Sequence, residues 1–72
     1  MKVIGPREVQ AILAVTDRAG LHREKVVIPL AARHPGRVRR MTDGKVEIVV
    51  DAGADFADWL AGLEGQLTTL EK

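Results

Sequence analysis

Apolar residues recur along this 72-residue chain at two different spacings, and the changes of spacing mark out its elements. From Pro6 onward, Val9, Ile12, Leu13 and Thr16 stand three and four residues apart, which gathers side chains on one side of a helix. Proline at a first helical position loses no hydrogen bond and presets φ, so Gly5-Pro6 reads as the start. Gly20 supplies a cheap left-handed residue for the end, with Leu21 placed to fold back on the last turn. The predicted helix covers about residues 6–19.

Lys25-Val26-Val27-Ile28 is short and β-branched and reads as a strand that Pro29 stops or confines to a sheet edge. A helix through residues 22–33 is the competing assignment, since Val26, Val27, Leu30 and Ala31 have acceptable spacing. It would bury Pro29 in a helix interior at a cost of about 3 kcal/mol, and the strand is favoured for that reason.

From Arg37 to Asp51 the pattern becomes a hairpin about the tip Thr42-Asp43-Gly44. Val46, Ile48 and Val50 alternate with Lys45, Glu47 and Asp51, giving one buried and one mostly wet face, with Val49 as the exception. A three-residue loop ending in a left-handed Gly44 pairs Met41 with Lys45 and sets Arg39 opposite Glu47. A two-residue turn would set Arg40 there instead. The first register puts Val38 on the face of Val46 and Ile48 and is preferred.

After Ala52-Gly53-Ala54 a second helix is predicted over about residues 55–70, opened by Asp55 and Asp58, whose carboxylates suit a helix N-terminus. Its stripe is Phe56, Leu60, Leu63, Leu67 and Leu70, a heptad spacing widened by Trp59. Two heptads are too few for a free-standing coiled coil, so these six residues are expected to form core against the sheet or to meet another chain. The predicted fold is a single α+β domain spanning residues 1–72, in the order α-β-β-β-α. Its three strands form an antiparallel sheet with both helices on one face, and Met1 to Ile4 are a candidate fourth strand.

Charge adds an asymmetry that the net value of +1 conceals. Residues 17–45 hold eight Lys or Arg against Asp17, Glu24 and Asp43, while residues 46–72 hold six acids against Lys72. Within the basic middle, Arg33, Arg37, Arg39, Arg40 and Lys45 form a candidate docking face, extended by Arg23 and Lys25. An acidic surface of another protein or of a second copy would complement it, making a homodimer or a small protein complex the expected assembly. Nucleic acid is the alternative partner for the 33–45 region. Against it, Phe56 and Trp59, the aromatic residues, lie on the acidic helix and cannot interleave with the arginines as stacking platforms.

The chain offers little for catalysis or for metal. It has no Cys, Ser or Tyr, and His22 and His34 stand in no recognisable ligand spacing. Asp55 and Asp58 are explained by the helix dipole rather than as an acid and base pair, and no glycine-rich phosphate loop occurs. No catalytic residue, metal or cofactor is therefore expected. No apolar run approaches the roughly 18 residues of a membrane span, and the start lacks the apolar stretch of a signal peptide. With the absence of cysteine, this makes the cytoplasm the expected compartment. The sequence-level expectation is a non-enzymatic interaction module.

Overall fold

A computed structural model describes residues 3–70. Helix α1 (Pro6–Arg18) begins at the proline and ends in the expected way. The Gly20 N–H donates to the Asp17 carbonyl (3.1 Å) and the Leu21 N–H to the Thr16 carbonyl (2.9 Å), with Gly20 at positive φ. These two bonds satisfy carbonyls that the helix end would otherwise leave open. A 3-10 turn, Arg23–Lys25, leads into strand β1 (Val26–Val27). Strands β2 (Arg37–Arg40) and β3 (Val46–Val49) form the hairpin, and helix α2 (Phe56–Leu70) closes the chain.

The hairpin takes the preferred register: Arg39 faces Glu47 and Val38 faces Ile48. The Met41 N–H donates to the Lys45 carbonyl (2.7 Å) across the three-residue tip, and Gly44 has φ +88°. The α-β-β-β-α order is also as expected.

The sheet corrects the antiparallel expectation. Its order is β1-β3-β2, and β1 runs parallel to β3, pairing Val26 with Val46 and Val27 with Glu47. The cause lies in residues 28–36. Pro29 has no N–H and breaks the ladder, but the chain keeps its direction and rejoins β3 at Arg33. There the Arg33 N–H donates to the Val50 carbonyl (3.0 Å), and the Ala52 N–H to the Arg33 carbonyl (2.8 Å). The chain reverses only past the end of β3, at Pro35-Gly36, and β2 is laid on the far edge. This crossing is so close that a Cβ on Gly36 would come within 2.5 to 2.7 Å of the Asp51 N and Cα and the Val49 carbonyl oxygen. Only glycine permits that approach.

Met1 and Lys2, half of the candidate fourth strand, lie outside the described residues. Val3 makes an isolated antiparallel bridge to Ala31, and the Ile4 N–H donates to the Leu30 carbonyl (2.7 Å). Among the described residues the sheet has three strands.

Both helices pack on one face of the sheet. Ile12 and Val15 from α1, Val46, Ile48 and Val50 from β3 and its extension, and Trp59, Leu63 and Leu67 from α2 form one buried cluster. Phe56, Leu60 and Leu70 are half-buried against it, so the six-residue stripe of α2 serves as core, centred on Trp59 and Leu63 rather than on Leu60. The buried Thr16 hydroxyl donates to the Leu13 carbonyl (2.9 Å) and is satisfied within its own helix. Arg18 of α1 stands 3.8 Å from Glu64 of α2 at the solvent side of the helix pair.

Candidate functional site

Directly paired residues in a sheet point to the same side, so the register sorts the hairpin arginines between two faces. Arg40 pairs with Val46 and lies on the helix side, where it lines a small recess with Lys25, Leu21 and Leu67. Arg37 and Arg39 pair with Val49 and Glu47 and lie on the open side. Arg33 and His34, where the chain rejoins β3, border the same open side. Together Pro29, Arg33, His34, Pro35, Arg37 and Arg39 surround a shallow groove whose floor is Val49 and Glu47. Lys45 sits at the hairpin tip and is not among the groove's lining residues. Of the five basic residues expected to act together, the fold thus gathers Arg33, Arg37 and Arg39 and separates Arg40 and Lys45. Arg23 is also elsewhere, bonded to Asp17 at 3.1 Å.

The three gathered arginines differ in their bonding. Arg39 Nε donates to Glu47 Oε1 at 2.8 Å. Glu47 is held below the ordinary carboxylate range, first by that hydrogen bond and further by the positive charges of Arg39, Arg37 and Arg33, with partial desolvation opposing. Arg33 and Arg37 make no side-chain hydrogen bond or ion pair among the described residues. Val49 below them is only 5% exposed yet lies outside the helix-side cluster, and it gives the groove an apolar floor.

At one end of the groove the 33–36 turn is tied to the 51–54 turn. Asp51 Oδ1 lies 3.1 Å from His34 Nδ1 and accepts the Gly53 N–H at 2.8 Å. An ionised carboxylate can only accept, so Nδ1 carries the proton in this bond. The His34 bond is the largest cause of a lowered Asp51 pKa, followed by the Gly53 N–H and, after an opposing desolvation, the Gly36 N–H. A Cβ on Gly53 would meet the His34 ring at Nδ1 and Cε1, so a larger residue there displaces the His34 side chain from this bond.

No local sequence rule pairs His34 with Asp51, 17 residues away. The available signal was Asp51-Ala52-Gly53, in which an aspartate side chain can bond the N–H two residues on. Asp55 and Asp58 stand exposed at the start of α2, and the Asp55 carbonyl accepts the Trp59 N–H at 2.9 Å. Among the described residues no group of three or more His, Asp or Glu could hold a metal ion, and no helix is long and apolar enough to cross a membrane.

Neither a family model, nor a curated protein, nor a solved structure matches this chain.

Proposed function

We propose that this chain is a non-enzymatic protein-interaction module of the cytoplasm that docks acidic protein surfaces on its open sheet face. The observation that carries this reading is the pair Arg33 and Arg37. Both are exposed, neither has a carboxylate partner among the described residues, and both border a groove floored by Val49. Two unpaired guanidiniums over an apolar floor suit a carboxylate-bearing surface, because arginine binds carboxylates through paired N–H groups. The exposed Asp55 and Asp58 of a second copy are one such surface, which makes homodimer formation part of the same reading.

Nucleic acid is the weaker reading on two counts. Phe56 and Trp59 lie with ring centroids 5.7 Å apart on α2, on the opposite side of the sheet, so the arginines have no stacking platform beside them. The carboxylates of Glu47 and Asp51 also interrupt the basic surface. An enzymatic reading finds no support in the His34–Asp51 pair, despite its likeness to a base and its orienting carboxylate. The chain lacks Ser and Cys, the hydroxyls of Thr16, Thr68 and Thr69 each bond a carbonyl of their own helix, and Thr42 sits at the hairpin tip and does not line the groove.

The test is fluorescence anisotropy with two labelled probes, a decaglutamate peptide and a mixed-sequence DNA duplex, at low and high salt. The peptide is expected to bind more tightly than the duplex, and to weaken about tenfold or more with salt and with Arg33→Gln/Arg37→Gln. Tighter binding of the duplex would establish the alternative. Failure of the peptide to bind would end the docking reading.

A further inference from the structure

The open face continues to an open edge. Strand β2 is the outer strand of the sheet order β1-β3-β2, and the Met41–Lys45 bond fixes the phase of its ladder. In an antiparallel pair the residues that bond the neighbour alternate, so Arg37, Arg39 and Met41 direct their backbone groups at β3. Val38 and Arg40 therefore direct theirs outward, and neither makes a backbone bond outside the sheet among the described residues. Such an edge is a template for another strand.

From these observations we infer that β2 takes up an extended acidic segment of a partner protein as a fourth strand, with carboxylates opposite Arg37 and Arg39 and an apolar residue between them. The inference rests on the reading of the open face as a surface for acidic partners and names the form the partner takes there.

Charge selects this occupant over a second copy of β2. Three antiparallel registers join the outward groups of Val38 and Arg40 of two copies. They set Arg37 against Arg39, Arg39 against Arg39, or Arg40 against Arg40, and like charges directly opposite each other are destabilising. The exposed acids of a second copy can meet the open face but not the edge, because Asp55 and Asp58 lie at the start of a helix rather than on an extended segment. The arginines thus repel the chain's own edge and attract an acidic one, so that specificity arises from both terms. The residue between the two acids would point to the helix side of the sheet. There Val38, Leu70, Gly62 and Gly65 border a shallow groove between β2 and α2, with room for a side chain.

The decisive probe is a labelled peptide that alternates glutamate and valine, compared with the same peptide N-methylated at every second residue on the side that bonds an edge. A scrambled peptide of equal charge and decaglutamate complete the set. Strand addition predicts that the alternating peptide binds at least tenfold tighter than both its N-methylated and its scrambled forms. It also predicts slowed amide exchange at Val38 and Arg40, and weakening by Arg37→Gln. Equal binding of all three alternating or scrambled peptides would overturn strand addition and leave face docking standing. If decaglutamate fails as well, both readings fall.

Discussion

Arg37 lies directly across the ladder from Val49, so the one β2 guanidinium on the open face without a carboxylate partner among the described residues stands beside an apolar floor. One register step away Arg39 faces Glu47 and is bonded to it. The same residue type two positions apart therefore does two different jobs. Arg39 is held within the sheet through Nε, with only its terminal N–H groups left for a partner, while Arg37 has its whole guanidinium available. Arg37→Gln is expected to change thermal stability by less than about 0.5 kcal/mol, as exposed substitutions without special contacts do, while weakening acidic-peptide binding. Calorimetry and anisotropy on the one variant check both halves.

Arg39→Gln should act on Glu47 instead. Removing the bond that contributes most to the lowered pKa raises that pKa toward the ordinary value, an effect read by NMR titration of the Glu47 carboxyl. Arg37→Gln should move the same titration in the same direction but less, because Arg37 acts on Glu47 by charge alone.

The turn lock gives stability a definite pH dependence. Asp51 binds its proton less readily in the folded chain than in the unfolded one, so its contribution is present above the unfolded pKa, about 4, and is lost as pH falls through the lower folded value. Acid unfolding of the wild type should therefore be steeper below about pH 4 than that of Asp51→Asn. Urea melts at pH 7, 4 and 2.5 measure the difference, and parallel curves would remove Asp51 from the account.

Two glycine substitutions should have opposite signs. Gly36→Ala drives a methyl into the backbone of β3 and is expected to cost about 3 kcal/mol or more, since the atoms it meets are main-chain atoms that cannot step aside. Gly62→Ala adds a methyl to a helix surface where nothing lies within 4 Å, and should stabilise by about 0.8 to 1 kcal/mol. Denaturant midpoints of the two variants give the comparison.

Leu63 is fully buried between α2 and the sheet, so Leu63→Ala should cost about 2 to 5 kcal/mol, and Leu63→Asp should abolish the helical circular dichroism rather than merely change the mass. A folded monomeric Leu63→Asp variant would contradict the core described above.

Much of this architecture was legible in the chain, and the errors have particular causes. The proline start and glycine stop of α1, the three-residue hairpin tip and the α2 stripe each follow from local rules that tertiary structure did not override. The direction of β1 was missed because Pro29 was read as the end of a strand. In fact the chain passes that proline and rejoins β3 beyond it. Val49, the apolar residue that breaks the alternation, lies on the open side of the central strand and is nevertheless only 5% exposed, which makes it the floor of the groove. The candidate basic face was legible only in part. Composition groups five cations, but the two-residue period of the strand sends Arg40 to the helix side. The His34–Asp51 lock joins residues 17 apart through two turns and left only the Asp-x-Gly pattern as a trace.

The most direct test of the central claim is chemical-shift mapping of the isotope-labelled chain during titration with decaglutamate at low salt. The largest changes are expected at Arg33, Arg37, Arg39 and Val49 and should vanish at high salt, with Ile12, Leu63 and the rest of the helix side unmoved. Changes centred on Arg40 and Lys25, or spread evenly over every cationic residue, would contradict it.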